Sequence, residues 1–393
     1  MGRPARRWRI IGRAPAEVPG REVPEPFNFT RDVVESHAVD RRRVALRFVD
    51  DQGVIDRRTF DDVAAAAGQW ASFLRARGLV PGDRVLVLLG PTAVWPAVLL
   101  GVLKAGGVAV PCPAGISNDE LELRLGQSGA RLLVIDRDRA ATLPALEGNA
   151  EVIVCEEVAP EVRGLVAVQP THDTMAPDPA FILSTAGGRD AHASHRFTRD
   201  ALEQAEKGLD VRPDDLVWCA AEPGSVSSVW DGLLVPWAAG AAIVIHSARF
   251  DPQQRLDLIH RLGVTVLRQA PDEYRQMVDH AVENGELDRL RRAVAVGGPL
   301  DPGVAEAFRS MCGVMVSEET QDTAFERTGS FEPPTVAAEG GETAAPDEAA
   351  AAEAKRLEDE RLNTERQGAD QRRADEEARR AAEAQAKDDE RMR

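Results

Sequence analysis

The sequence predicts an α/β protein of two lobes, each built on a largely parallel, buried sheet, with a charged tail behind them. Three observations predict it. Short runs rich in Val, Ile and Leu recur from Phe27 to about Phe325. Helix-period patterns lie between several of them, and alternation of this kind marks strands covered on both faces by helices. After Phe331 the composition changes abruptly to Ala, Glu, Asp and Arg, almost without aromatic or β-branched residues.

Taken in order, residues 1–26 form a locally basic arm through Arg3, Arg6, Arg7 and Arg13, read as a disordered leader. The strand candidates are Leu46–Val49, Val85–Leu89, Val108–Val110, Leu132–Ile135, Val152–Val154, Phe181–Leu183, Leu216–Cys219, Ala242–Ile245, Val264–Leu267 and Ala293–Val296. Apolar residues at helical spacing mark helices over Phe60–Arg77 and Gln253–Leu262. A Pro-rich segment, Gln169–Pro179, is read as a boundary dividing the body, 27–330, into lobes of about 27–168 and 180–330. Pro333, Pro334, Gly340 and Gly341 make 331–346 a linker. The tail, 347–393, places opposite charges four apart, as in Asp375 with Arg379 and Glu376 with Arg380, a spacing that stabilises an exposed helix by about 0.3 kcal/mol per pair. Leu357, Leu362 and scattered alanines offer no sustained apolar seam there, so a solvated or partly disordered helix is expected rather than a coiled coil.

Composition removes several classes of function. A net charge of -17 argues against general nucleic-acid affinity, which rewards clustered Lys and Arg. Cys112, Cys155, Cys219 and Cys312 lie far apart without metal-ligand spacing, so neither a metal site nor a disulfide framework is expected and a reduced, cytoplasmic setting is the default. The best apolar run, Val94–Val102, falls short of the roughly 18 residues that a membrane span needs.

Several strings carry a resemblance. Pro26-Phe27-Asn28-Phe29-Thr30-Arg31-Asp32-Val33, Gly78-Leu79-Val80-Pro81-Gly82-Asp83-Arg84-Val85 and Leu103-Lys104-Ala105-Gly106-Gly107-Val108 are followed by Asp215-Leu216-Val217-Trp218, Val235-Pro236-Trp237, Ala270-Pro271 with Tyr274-Arg275, and Gly297-Gly298-Pro299-Leu300-Asp301-Pro302. In this order they resemble the adenylate-forming enzymes, and within them the medium-chain acyl-CoA synthetases. Such enzymes join a carboxylic acid to AMP from ATP, and coenzyme A thiol then displaces the AMP. The strings themselves report turns and helix ends rather than chemistry.

Where the resemblance implies chemistry, this sequence departs from it. The phosphate loop, T-S-G-T-T-G-x-P-K in the family, falls on Ser184-Thr185-Ala186-Gly187-Gly188-Arg189-Asp190-Ala191. Thr185 and Gly187 fit, the second pair of hydroxyls is gone, the P-K end is absent, and Asp190 brings a negative charge. The Y-G-Q-T-E motif falls on Thr320–Ala324, where Thr323 fits but Ala324 cannot hold magnesium. Gly298 stands for the glutamate of G-E-P, between Gly297 and Pro299, and Ser225 for a tryptophan near the acyl pocket. Trp230 and Trp237 are the weak candidates for an acyl pocket, with core packing as their ordinary role. His192 and His195 flank the phosphate loop and are expected to be solvated. Past Thr323 the family's ribose aspartate and small lysine-bearing domain do not follow, so the resemblance covers two lobes.

Removing one preorganised donor from an oxyanion-type site costs about 3 to 4 kcal/mol, and several are missing together. The resemblance therefore implies a catalytically degenerate synthetase-like protein that binds or scaffolds, with vestigial nucleotide positions Thr185, Gly187, Gly188, Gly297, Gly298, Pro299 and Thr323. No catalytic residue, metal ligand or cofactor is assigned. The alternatives are a sensor for acyl-adenylate or acyl-CoA, and a divergent acid–CoA ligase using ATP, magnesium and coenzyme A. The tail is the expected docking element for a protein partner or for self-association.

Overall fold

A computed structural model describes residues 26–144, 146, 150–167, 170–184, 190–207, 210–280 and 287–319. The basic arm up to residue 25, the linker and the tail 347–393 lie outside the described residues.

In chain order, a π-helical turn (Thr30–Glu35) runs into α1 (Ser36–Ala38), followed by β1 (Val44–Val49), β2 (Ile55–Thr59), α2 (Phe60–Ala76), β3 (Arg84–Leu88), α3 (Trp95–Ala105), β4 (Val108–Pro111), α4 (Asn118–Ser128), β5 (Leu132–Ile135), α5 (Arg137–Ala141), β6 (Glu151–Val154), α6 (Cys155–Gly164), β7 (Pro179–Ser184), β8 (Asp190–Ser194) and α7 (His195–Lys207). Then come β9 (Leu216–Cys219), α8 (Val226–Val229), a π-helical segment (Trp230–Leu234), α9 (Val235–Ala239), β10 (Ala242–His246), α10 (Pro252–Leu262), β11 (Val266–Gln269), α11 (Pro271–Asp279), β12 (Arg292–Val296), α12 (Pro302–Cys312) and β13 (Val316–Glu319).

These strands make two sheets, ordered β6-β5-β3-β4-β7-β8 and β13-β12-β11-β9-β10-β1-β2. Pairing is parallel except where β2 meets β1 and β8 meets β7. All ten apolar runs named from the sequence are strands, and both named helices form. The sheets do not divide at 169–179. β1 crosses to pair with β10, Leu46 beside Ile243, while β7 and β8 complete the first sheet. Lobes of 27–168 and 180–330 therefore do not coincide with the sheets. The physical reason is that Ala45, Leu46 and Val49 are fully buried: Ala45 and Leu46 join the core that the two sheets share, and Val49 joins the core of the second.

The three strands without an apolar run, β2, β8 and β13, are all edge strands. Ile55-Asp56-Arg57-Arg58-Thr59 is mostly exposed, and charged edges of this kind resist pairing with another chain.

The strings that carried the resemblance prove to be joints. Asn28 is buried, and its Nδ2 donates to Leu103 O at 2.8 Å and Thr174 Oγ1 at 3.2 Å, while Thr30 Oγ1 donates to Leu100 O at 3.0 Å. Lys104 is buried, with Nζ 2.5 Å from Glu35 Oε1 and 2.8 Å from Thr171 Oγ1. Gly106 ends α3 in the left-handed region at φ 86°, and a Cβ there would lie 2.6 Å from the His172 ring, so only glycine closes that helix without strain. Asp215 accepts from Thr265 Oγ1 at 2.7 Å and from the Arg291 guanidinium, fixing the starts of β9, β11 and β12. Tyr274 is fully buried, its hydroxyl donating toward Leu267 O and Val294 O at 3.2 and 3.1 Å.

Candidate functional site

In the second sheet β10 is laid to one side of β9, and β11, β12 and β13 to the other. Parallel strands whose order reverses in this way leave a crevice at their carboxyl ends, the place where open α/β sheets take ligands. A cavity of about 190 Å³ lies there. Its lining includes Trp218 and Glu222 from the end of β9 and the turn after it, His246 from β10, Arg255 from α10, Glu273 from α11, and Trp95 from α3 of the first sheet's half.

The first sheet reaches the same place. Ser184, at the carboxyl end of β7, bridges to Ser225, the N-cap of α8. Gly115 N donates to Glu222 Oε1 at 3.3 Å. Gly224 sits at φ 94°, and a Cβ on it would lie 2.2 Å from the carbonyl carbon of Cys112. A left-handed backbone and a backbone contact of that kind each exclude a side chain. We expect Gly224→Ala to cost about 3 kcal/mol, combining conformational strain with overpacking, read as a lowered urea midpoint with unchanged slope. A loss below about 1 kcal/mol would refute the close approach.

Two arginines dominate the electrostatics. Arg255 is only 6 % exposed. Its guanidinium lies 4.3 Å from the Trp218 ring centroid and 5.0 Å from that of Phe250, its Nη1 donates to Gln269 Oε1 at 2.9 Å, and Glu273 Oε2 is 3.7 Å away. Burial lowers the Arg255 pKa and raises that of Glu273, each opposed by the other's charge. Burial also lowers the His246 pKa, and Arg255 adds to the shift. Arg268, on β11 and 4 % exposed, places Nη2 3.0 Å from Asp231 Oδ2 and 2.6 Å from Glu319 Oε2. Burial would lower the Arg268 pKa, but Asp231 and Glu319 more than reverse it and hold the guanidinium charged.

Of the positions named from the sequence, Gly297, Gly298 and Pro299 form the turn after β12 on this edge. Gly297 has φ 96° and its N donates to Glu319 O at 3.2 Å. A Cβ on Gly298 would meet only Pro271 Cγ, at 4.0 Å, so the backbone leaves room for a side chain that this sequence lacks. Asp301 caps α12 through Gly303 N and Val304 N. Thr185, Gly187, Gly188 and Thr323 lie outside the described residues, as do Arg189 and Ala324.

Trp230 and Trp237 do not line the cavity. Both sit in the main core, where Trp230 packs on Phe197 at 4.4 Å and Trp237 donates from Nε1 to Ala45 O at 2.9 Å. Ser225, in the tryptophan's place, accepts from Ser228 N as a helix cap. The expectation of solvated histidines fails for His195, which is fully buried at the start of α7, with neither ring nitrogen hydrogen-bonded. The sequence reading also missed Arg255, Glu273, His246 and Arg268. Arg268 and Gln269 directly continue the apolar run Val264–Leu267, and polar residues inside a buried strand were the available signal.

Among the described residues no three His, Cys, Asp or Glu side chains are grouped to hold a metal ion. On this edge Gly298 carries no side chain, and Arg268 is bonded to two carboxylates.

A family model described as AMP-binding enzyme matches residues 34–319. Human mitochondrial acyl-coenzyme A synthetase ACSM3 is 24% identical over 324 residues, covering 75% of this chain and 55% of that protein. Acetyl-coenzyme A synthetase of Bacillus subtilis is 28% identical over 304 residues, covering 71% of this chain and 52% of that protein. The chain thus spans about half the length of the curated relatives it matches. Among solved structures, the acyl-CoA synthetase of Brucella canis superposes with a TM-score of 0.68 at 22% identity, over 76% of this chain and 58% of that one. The N-terminal domain of FACL13 from Mycobacterium tuberculosis superposes with a TM-score of 0.67 at 20% identity, over 75% of this chain and 76% of that one.

Proposed function

The chain belongs to the AMP-binding enzyme family, and from that premise we propose that it uses the family's two-sheet body to bind, without forming an acyl-adenylate of its own. The observation that carries this reading is the state of charge on the carboxyl edge. Adenylyl transfer needs donors and cations held open toward phosphate. Here the Arg268 guanidinium is bonded to Asp231 and Glu319, and Gly298 offers backbone alone. The charged tail, 347–393, is then the element that docks a protein partner or a second copy, and the function is that of a binding or scaffold protein.

The cavity favours one further reading within the same frame, a sensor whose ligand occupies the crevice while the tail reports it. Ligase chemistry would require ATP, magnesium and coenzyme A.

Acid-dependent exchange of pyrophosphate into ATP tests the proposal, run on the full chain with magnesium and a panel of short- and medium-chain acids. Exchange at background level is expected, together with calorimetric titrations showing no micromolar binding of magnesium-ATP. Turnover above background with any acid overturns the non-catalytic reading.

A further inference from the structure

The cavity's wall is chemically unusual for a space that would take an aliphatic chain. Among the described residues Arg255 makes one side-chain hydrogen bond, to Gln269, and its Nε and Nη2 donors have no partner there. Glu273 Oε2 accepts no hydrogen bond, and 3.7 Å from Arg255 Nη1 it is beyond bonding distance of that donor. Burying a guanidinium and a carboxylate costs several kcal/mol each unless further hydrogen bonds compensate. The two groups therefore form an incomplete pair, and both line the cavity. The faces of Trp218 and Phe250 hold the guanidinium plane, so its free edge has a fixed direction.

We propose that this cavity binds a small zwitterion of the amino-acid class, its carboxylate on the free donors of Arg255 and its ammonium on Glu273. The inference rests on the reading that the crevice still takes a ligand. A zwitterion satisfies both unfinished partners and adds no net charge to a balanced pair. A simple carboxylate leaves Glu273 without a donor and adds a negative charge to a wall that already holds Glu222. Size agrees: about 190 Å³ is roughly six waters' share of liquid volume, below the range of about 300–1,000 Å³ for drug-sized pockets. Ser228 and His246 on the same wall suit a short polar side chain.

Calorimetric titration of the full chain without nucleotide tests this, using L-alanine and L-serine beside propanoate, which lacks the ammonium, and ethylamine, which lacks the carboxylate. The amino acids are expected to saturate, and each half-ligand to bind at least tenfold more weakly. Arg255→Gln and Glu273→Gln should each weaken amino-acid binding at least tenfold. Should either variant fail to fold, Ala248→Trp, which fills the cavity from its lining and leaves both members of the pair in the sequence, should abolish binding on its own. No saturation by either amino acid, propanoate binding as tightly, or undiminished binding in Ala248→Trp overturns the proposal. Because ATP is absent, the outcome is independent of pyrophosphate exchange, and either result can fail without the other.

Discussion

Arg268→Leu is expected to destabilise the protein by roughly 3–5 kcal/mol, a large share of the stability of an ordinary domain. The guanidinium is buried between Asp231, in the π-helical segment after α8, and Glu319, at the end of β13, and removing it leaves two inward-facing carboxylates without that partner. Arg292 lies 3.6 Å from the other oxygen of Glu319 and softens the loss only in part. The cost belongs to the broken cluster rather than to the worth of the intact one, because pairing in a low-dielectric interior roughly offsets desolvation. The triple variant Arg268→Met, Asp231→Leu, Glu319→Leu should accordingly recover most of the loss. Urea unfolding of the three proteins decides the matter, and a single-variant cost below about 1 kcal/mol would mean that water reaches the cluster.

The second large effect concerns acid. His195 is fully buried and titrates at about 4, chiefly because burial disfavours the imidazolium; Asp178 partly opposes this, while His172 and Arg31 reinforce it and Asp32 opposes it weakly. Its folded pKa thus lies below the ordinary value of 6.5. Between those two values the unfolded chain binds a proton that the folded chain refuses, so stability falls as the pH drops from about 6.5 to about 4 and levels off below. The full window is worth about 3 kcal/mol, of which about 2 kcal/mol is lost by pH 5. Urea midpoints of the parent and of His195→Leu, measured from pH 7.5 to 4.5, should diverge in slope, the variant being flatter. Parallel profiles would show that the ring takes up its proton inside the fold.

The central strands were legible because they are buried on both faces and carry unbroken apolar runs, as in Leu132–Ile135 and Ala242–Ile245. The edge strands β2, β8 and β13 were not, since a segment such as Val316-Ser317-Glu318-Glu319 has the composition of a loop and becomes a strand only because β12 offers it a partner. The site divided in the same way. Gly297 could be located because a turn leaves a glycine in the sequence. Arg255 and Glu273 stand 18 residues apart on successive helices, and only the packing of α10 against α11 brings them together. No local spacing encodes such a meeting.

The crossing of β1 to the second sheet has a consequence for how the chain is made. Leu46, Arg47, Phe48 and Val49 find their parallel partners roughly two hundred residues further along, in β10. A nascent chain that has completed β1, β2 and α2 therefore holds an apolar strand with one edge open until most of the protein has been synthesised. Folding cannot proceed as one finished half followed by another. The first strands made are among the last to be enclosed, and for that interval the hairpin's arginine-rich outer strand guards only one of its two edges.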